Sequence, residues 1–349
     1  GVFMYRYSHS IGLYALMGRG FNNPVDVAFG SSDVMYVVNR VGPEVGVRMP
    51  YKRITICNRN QDYLGEFSTG GTAAGEIMWP ASIAVGPNGN VYISDEALNR
   101  VSIFDPQGVF LSMWGIRGTD KGQLTRPAGI AFDSDGNLLV ADGLNHRIQR
   151  FTSDGRFLDA WGSQGAGDGE FNIPWGISLD SNGSVYVADW RNDRIQKFNP
   201  QGCHLATIGA SGVGDGQLNR PSGVAVDQSG NILVTDWGNE RVQIFDSSGN
   251  FVTKYRGESG MSKWAEDYFK ANTLEFEERQ KADLEPEPNG HPSEYVREQS
   301  AAVEKLFWGP TSVRLDDEGS MYIVESCRHR IQVYNPEPSR ASPIPSLRS

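Results

Sequence analysis

The amino-acid sequence predicts an all-β protein, a six-bladed β-propeller closed into a ring. The first observation is a strand-like segment that recurs every 47 residues, opened in turn by Pro80, Pro127, Pro174 and Pro221. The second is that each copy contains about four short runs of alternating apolar and polar residues, separated by Gly, Asn, Asp or Ser. The third is that the end of the chain lacks a strand that its beginning can supply.

The repeat is clearest in the second and third strands of each unit. Residues 230–246 read GNILVTDWGNERVQIFD, residues 183–198 read GSVYVADWRNDRIQKF, and residues 136–151 read GNLLVADGLNHRIQRF. Further copies begin at Pro24 and Pro310 when insertions are allowed, so that six units fill the chain. A fixed period of this length is typical of units that stack in a row or are arranged around an axis.

The ends of the chain favour a ring over an open stack. Sheets arranged radially cover one another's faces and leave no long exposed edges. The last unit stops at RIQVYNP, residues 330–336, without a clear fourth strand, whereas residues 11–18, IGLYALMG, resemble the fourth strand GRFLDAWG of residues 155–162. We therefore expect the N-terminal strand to complete the sixth blade and close the ring. Whether residues 4–10 add a further strand is left open.

Composition limits the classes of function. The formal net charge of −10 disfavours nucleic acid as a partner, because nucleic acid is bound by clustered Lys and Arg. No apolar run is long enough to span a bilayer, which predicts a soluble protein, either cytoplasmic or exported. The three cysteines are widely spaced and indicate neither a disulfide framework nor a CxxC metal site.

The repeated pattern P-x-G-[VI]-A-[VF]-D, G-N-[VI]-x-V-[AT]-D, N-x-R-[VI]-Q-x-F resembles the NHL repeat. The resemblance covers essentially the whole chain apart from two insertions; five units match well and the first is degenerate. It implies the same six-bladed propeller. It does not imply one function, because such propellers occur in the metal-dependent peptidyl-hydroxyglycine amidating lyase, in RNA- or protein-binding tripartite-motif proteins, and in sensor domains of bacterial kinases.

An acid and an arginine recur at fixed positions and look like catalytic pairs. The acids lie 15 residues after each proline and the arginines 20 after: Asp95 and Arg100, Asp142 and Arg147, Asp189 and Arg194, Asp236 and Arg241, and Glu325 and Arg330. Because the pair is present in five blades, we interpret it as structural, tying the second strand to the third. Asn39 takes the acid position in the first blade. Trp114 and Trp161 share a position in the fourth strand and are expected to pack between blades.

The residues that differ between blades are the candidates for function. They lie just after the proline and in the turn between the second and third strands, and both positions face the same mouth of the central channel. The predicted ligand-binding set is Asp26, Arg40, Ser82, Glu96, Trp175, Trp190, Arg191, Trp237 and Thr311, together with Asn39 and Glu325 at the acid position directly before the turn. Aromatic, basic and acidic side chains that converge on one concave surface are typical of a binding site.

Two insertions open on the same face. The first adds nine residues to the turn after Asn39, within the loop VGPEVGVRMPYK, and the second lies between about Arg256 and Trp308. We treat residues 1–349 as one domain, with 257–308 as a helical insertion that could form a lid and 336–349 as a flexible tail. The insertion predicts two helices, one over KWAEDYFKANTLEFEERQKADL and one over SEYVREQSAAVEKLFW with Ser293 as its cap. A helical hairpin packed against the side of a blade is the alternative to the lid.

Specific chemistries receive little support from the sequence. The amidating lyase holds zinc with histidines at the channel, including one directly after a proline, and no histidine follows a proline of this repeat. A divalent cation such as calcium, held by Asp26, Asn39 and Glu96, is one candidate cofactor. Catalysis by the Cys327 thiol would need a nearby base, and His329 lies two positions away. No GxSxG, HExxH or P-loop string is present.

The sequence therefore predicts a propeller that binds a small organic or peptide ligand, or a protein partner, at its lidded channel mouth. The alternative is a metal-assisted lyase or hydrolase with its active site at the same mouth.

Overall fold

Six four-stranded antiparallel sheets form the protein, in a computed structural model that describes residues 4–41, 51–286 and 296–337. The first strand of each sheet contacts the first strand of the next, and that of blade 1 contacts that of blade 6. The sheets therefore make a closed ring with their first strands innermost. This confirms the six-bladed propeller expected from the repeat.

The strands of the first three blades follow one another in chain order. The N-terminal strand is β1 (Met4–Ile11). Blade 1 contains β2 (Pro24–Phe29), β3 (Val34–Asn39), β4 (Arg53–Asn58) and β5 (Tyr63–Phe67). Blade 2 contains β6 (Pro80–Val85), β7 (Val91–Asp95), β8 (Arg100–Phe104) and β9 (Phe110–Trp114). Blade 3 contains β10 (Pro127–Phe132), β11 (Leu138–Asp142), β12 (Arg147–Phe151) and β13 (Phe157–Trp161).

The remaining blades continue the same order. Blade 4 contains β14 (Pro174–Leu179), β15 (Val185–Asp189), β16 (Arg194–Phe198) and β17 (His204–Ile208). The short strands β18 (Ala210–Ser211) and β19 (Gln217–Leu218) pair in the connection to the next blade. Blade 5 contains β20 (Pro221–Val226), β21 (Ile232–Asp236), β22 (Arg241–Phe245) and β23 (Phe251–Tyr255). Blade 6 contains β24 (Pro310–Leu315), β25 (Met321–Glu325) and β26 (Arg330–Glu337).

The N-terminus closes the ring, in a register different from the expected one. Strand β1 pairs antiparallel with β26 and is the fourth strand of blade 6, so residues 4–11 and not 11–18 complete this blade. Gly12 explains the difference, because its φ of 115° matches those of Gly115 (119°) and Gly162 (96°), which also end a fourth strand. A left-handed φ of this kind favours glycine. Residues 336 and 337 of the expected tail pair with β1, and 338–349 lie outside the described residues.

The hydrophobic core lies between the faces of neighbouring blades. Trp114 of blade 2 packs on Phe151 of blade 3 with ring centroids 4.7 Å apart, and Trp161 packs on Phe198 at 6.1 Å. These contacts confirm the expected packing between blades. Each aromatic pair adds about 0.5–1.5 kcal/mol to the effect of area burial.

The predicted pairs of an acid and an arginine are present in four blades. The N–O distances are 3.0 Å for Asp142–Arg147, 2.9 Å for Asp189–Arg194, 2.7 Å for Asp236–Arg241 and 2.6 Å for Glu325–Arg330. The arginines also bind the connection that precedes their blade. Arg194, for example, donates to the carbonyls of Ala166, Gly167 and Glu170. Each pair therefore joins two strands and also holds a connection between blades in place.

Blades 1 and 2 depart from this network. In blade 2, Asp95 accepts hydrogen bonds from four backbone N–H groups, and within the described residues it forms no direct ion pair with Arg100. Leu98 stands where Asn145 and its equivalents donate to the acid in blades 3 to 5. In blade 1, Arg53 keeps the bonds to the preceding connection but pairs with Glu66 at 2.8 Å.

The long insertion between blades 5 and 6 forms three short helices in the part that the structure describes. They are α1 (Lys263–Ala271), α2 (Thr273–Lys281) and α3 (Val296–Ala302). Asn272 splits the first predicted helix, because its side chain donates to the Tyr268 carbonyl and its backbone leaves the helical region at φ −126° and ψ 65°. Ser293, the expected cap of the last helix, lies outside the described residues.

Helix α1 lies in the groove between blades 6 and 1. Trp264 is buried there against Phe21, with ring centroids 5.3 Å apart, and its Nε1 donates to the carbonyl of Gln61. Ser262 caps the helix by accepting from the Ala265 N–H. Within the described residues, no helix is both long and apolar enough to cross a membrane.

Candidate functional site

A cavity of about 400 Å³ opens at one end of the ring. Antiparallel strands place their connections alternately at the two ends of the ring, so the turns between second and third strands share one end with the connections between blades. We call this end the mouth face. The cavity is lined by residues from these turns and from the first strands, and both insertions leave the blades on this face.

Most of the predicted binding residues meet in this cavity. The predicted residues that line it are Asp26, Arg40, Ser82, Glu96, Trp175, Trp190, Arg191, Trp237 and Thr311. The other two, Asn39 and Glu325, do not line it. Asn39 is fully buried. Its side chain accepts a hydrogen bond from the Asn22 N–H and donates one to Thr55 Oγ1. Glu325 is equally buried and binds Arg330, as its place in the repeated network requires.

The aromatic half of the cavity comes from blades 4 and 5. Trp190 and Trp237 each begin a 3₁₀ turn, Trp190–Asn192 and Trp237–Asn239, directly after the acid of the network. Asn192 fixes its turn by donating to Asp189 Oδ2 and to the Gly165 carbonyl, both at 2.8 Å. Because the turn is held by these bonds, its first side chain is free to vary without loss of backbone structure. Trp175 contacts Trp190 with ring centroids 6.3 Å apart and planes tilted by 38°.

The charged half comes mainly from blades 1, 2 and 6. Glu96 is 1% exposed and binds Arg40 at 2.6 Å and Arg126 at 3.1 Å. Both guanidinium groups also lie over the ring of Trp79, at 5.6 and 5.4 Å from its centroid. One buried carboxylate thus holds two arginines against an aromatic face.

Arg314 is a cavity residue that the sequence analysis missed. It donates from Nε and Nη2 to Asp26 at 2.8 and 2.6 Å, and from Nη2 to Ser82 Oγ at 3.1 Å. Asp26 also accepts from the Ile83 N–H at 3.1 Å, so this cluster joins the innermost strands of blades 1, 2 and 6. A signal was present in the sequence, because the other five blades have Ala or Ser at the position of Arg314, four residues after the proline.

The first strands of the middle blades leave no room for such side chains. Gly176 takes the position of Asp26 in blade 4, and a Cβ there would lie 2.6 Å from the Ser222 carbonyl oxygen of the next blade. Gly129 and Gly223 meet neighbouring atoms at similarly short distances. The polar cluster of Asp26, Ser82 and Arg314 therefore has no counterpart in blades 3 to 5.

The three residues considered for a divalent cation have other partners. Asp26 binds Arg314 and Ser82, Glu96 binds Arg40 and Arg126, and the side-chain oxygen of Asn39 accepts a backbone N–H. Asn39 also lies outside the cavity lining. The structure therefore does not join these three groups in one cation site.

Two histidines that share one repeat position have a structural role. The Nδ1 of His146 accepts the N–H of Ile173 at 3.2 Å, and the Nδ1 of His329 accepts that of Asn23 at 3.0 Å. Burial lowers the pKa of both imidazoles, which favours the neutral form that such an acceptor requires. The Cys327 thiol lies near Arg297, and burial raises its pKa, which disfavours the nucleophilic thiolate.

Helix α3 borders the cavity without lining it. Arg297 lies over the ring of Trp237, 5.2 Å from its centroid, and binds the buried Glu240 at 2.6 Å. Arg328 of the neighbouring turn donates to carbonyls of Ser300 and Ala301, which holds the end of the helix. None of the described residues of the insertion lines the cavity, and residues 42–50 and 287–295 lie outside the described residues.

Comparison with known families decides what the repeat is. A family model for the NHL repeat matches residues 124–151, 171–198 and 218–245, which lie in blades 3, 4 and 5. The chain carries NHL repeats. The NHL units that match are those in which the acid, arginine and asparagine network is complete. A search of curated proteins finds no match to the sequence.

Solved structures with the same architecture include enzymes and proteins of unknown function. A streptogramin B lyase is 12% identical with a TM-score of 0.56, over 96% of this chain and 99% of the lyase. A catalytically inactive virginiamycin B lyase from Staphylococcus aureus with quinupristin is 13% identical with a TM-score of 0.56, over 95% and 99%. A Bacteroides thetaiotaomicron protein of unknown function is 15% identical with a TM-score of 0.61, over 96% and 77%. At these identities the likeness shows the propeller fold alone.

Proposed function

We propose that this NHL propeller binds a small organic or peptide ligand in the cavity at its mouth face. The observation that carries the proposal is the cavity itself, which joins an aromatic wall of Trp175, Trp190 and Trp237 to a wall of paired charges. Its volume of about 400 Å³ falls within the range of small-molecule sites, roughly 300–1,000 Å³. A protein partner would instead require a broader contact surface.

The way these side chains are held supports a preformed site. Trp190 starts a turn that is fixed by Asn192, and Arg40 and Arg126 are held by Glu96. A site whose walls are already ordered loses little conformational freedom on binding, and this favours affinity for a small ligand. The alternative of a metal-assisted lyase or hydrolase has less support, because Asp26 and Glu96 are each occupied by arginines.

The proposal is tested by screening a metabolite and peptide library for compounds that raise the melting temperature and change tryptophan fluorescence. We expect Trp175→Ala to lower the affinity for a ligand of this cavity about tenfold or more, because an aromatic contact is lost. Leu274→Ala is the control, since Leu274 is 76% exposed on α2, away from the cavity. Ligands that bind wild type and Trp175→Ala equally, or a screen without ligands, would contradict the proposal.

We further propose that the insertion limits access to this cavity. Its support is the contact of Arg297 on α3 with Trp237, one of the aromatic residues of the cavity. With a ligand from the screen, stopped-flow fluorescence should show faster association and dissociation in Arg297→Ala than in wild type. Unchanged rate constants would remove the insertion from the binding mechanism.

A further inference from the structure

The cavity is positively charged within an acidic protein. The ionisable residues that line it are four arginines, Arg40, Arg126, Arg191 and Arg314, and two carboxylates, Asp26 and Glu96. The whole chain, in contrast, has a formal net charge of −10. A concave surface with walls of low dielectric concentrates the potential of such a local excess.

Both carboxylates of the cavity are fully engaged. Asp26 accepts two bonds from Arg314 and one from Ser82, and Glu96 binds both Arg40 and Arg126. A cationic ligand would have to replace an arginine to reach either carboxylate. Breaking such a pair is costly, because it leaves a desolvated charge without its partner.

Arg191 differs from the other three cavity arginines. Within the described residues it has no carboxylate partner, and its guanidinium group lies over the ring of Trp190, 5.5 Å from the centroid. Arg220 lies over the same ring at 5.2 Å, so two cations share one aromatic side chain. Two positive charges on one ring favour an anion beside Arg191, the one of the two that lines the cavity.

We propose that the ligand of this cavity is an organic anion with a planar, apolar body. A carboxylate or phosphate group binds Arg191, whose planar fork of N–H donors matches either group. The apolar body packs on Trp175 and Trp237, which lie in the same wall. This inference rests on the proposed function, because it names the chemical class that the same cavity accepts.

The test compares probes that share a body and differ in charge. Isothermal titration calorimetry measures 2-naphthoate, 2-naphthyl phosphate, 2-naphthamide and 2-naphthylmethylammonium in a phosphate-free buffer of low ionic strength. We expect at least one of the two anions to bind about tenfold more tightly than the neutral amide, and the ammonium compound to bind most weakly. The comparison of the carboxylate with the phosphate identifies the preferred anionic group.

Two variants assign the preference to its residue. Arg191→Gln should reduce the affinity for the preferred anion to that for the amide and leave the amide unchanged. Arg6→Gln is the control, since it removes the same charge from a side chain that is 81% exposed on β1, outside the cavity. An equal loss of affinity in both variants would mean that the preference arises from overall charge, and would overturn the assignment to Arg191.

The remaining outcomes separate this inference from the proposed function. Equal or tighter binding of the amide or the ammonium compound overturns the anion and leaves the proposed function standing. If no naphthyl probe binds, the inference is tested with a ligand from the library screen whose affinity falls in Trp175→Ala, and the charge of that ligand decides whether the inference stands. A neutral or cationic ligand overturns the inference. An anionic ligand whose affinity is lost in Arg191→Gln supports it. Without any such ligand, both proposals are wrong.

Discussion

Blades 3 to 5 and blades 1, 2 and 6 contribute to the cavity in different ways. In the middle blades the network of acid, arginine and asparagine is complete, and in blades 4 and 5 the first residue of the locked turn, Trp190 or Trp237, lines the cavity. In the other blades residues within the strands also differ from the repeat, as with Asp26 and Arg314. At Asp26 and Arg314, a charge introduced within one strand is matched by an opposite charge in the neighbouring blade.

The strongest test of this difference is the pair of altered strand residues. Arg314→Ala should lower the free energy of unfolding by about 3 kcal/mol, because it leaves Asp26 buried without its cation. The double variant Asp26→Gly with Arg314→Ala, which has residue types that middle blades use at these positions, should recover much of this loss. Urea unfolding measures the coupling, and simple additivity of the two changes would contradict it.

Within the repeated network, the same substitution should cost more in blade 5 than in blade 2. Both arginines donate to three carbonyls of the connection before their own blade. Arg241→Ala removes these bonds and also the ion pair to the buried Asp236, whereas Arg100→Ala removes the bonds to carbonyls alone. We expect a difference of about 1–3 kcal/mol in the free energy of unfolding. Equal losses would show that the acid contributes little beyond its bonds to the backbone.

The histidines of the repeat predict a dependence of stability on pH. Burial lowers the pKa of His146 below its usual value of 6.5, so the unfolded chain binds the proton more tightly than the folded one. The stability that the neutral ring contributes is therefore present above pH 6.5 and is lost as the pH falls through the lower, folded-state pKa. His146→Gln should reduce the slope of melting temperature against pH in this range.

The control for this slope is His204→Gln, because His204 lies on the outer strand of blade 4 and its Nε2 contacts the Thr207 hydroxyl. A slope that is unchanged in His146→Gln and reduced in His204→Gln would place the pH dependence elsewhere.

The smallest change in stability is expected for an arginine of the cavity that has no carboxylate partner. Arg191→Gln should change stability by about 0.5 kcal/mol or less, since no carboxylate of the described residues pairs with it. Arg40→Gln should cost more, because Glu96 beside it is 1% exposed. Thermal unfolding of the two variants checks the order, and a reversed order would mean that Glu96 is neutralised by Arg126 alone.

The fold could be predicted because the regular spacing of the prolines defines the repeat even where the pattern of a single strand is unclear. The register of β1 was missed because both Gly12 and Gly18 follow runs of similar pattern. Counting from the next proline would have resolved it, since Gly12, Gly115 and Gly162 all lie 12 residues before one. The break at Asn272 was not predicted, because helical composition continues on both sides of it.

Most of the cavity residues could be found by asking where the repeats differ. Arg314 was not predicted because it lies four residues after its proline, within the strand, outside the strand openings and turns that supplied the candidate residues. Asn39 and Glu325 were included because they differ in type from the other acids, although their position is structural. The binding of Arg40 and Arg126 by Glu96 could not be predicted from the sequence, because these residues come from three different blades.

The pairing of β1 with β26 sets an order on synthesis. The ribosome releases β1 first and β26 more than 300 residues later. At about 5–20 residues per second, the first strand waits for tens of seconds without its partner. Five blades can form during that interval, but the sixth cannot, and the cavity lacks Arg314 until it does. A nascent chain therefore completes this cavity only with its sixth blade, in a single late event.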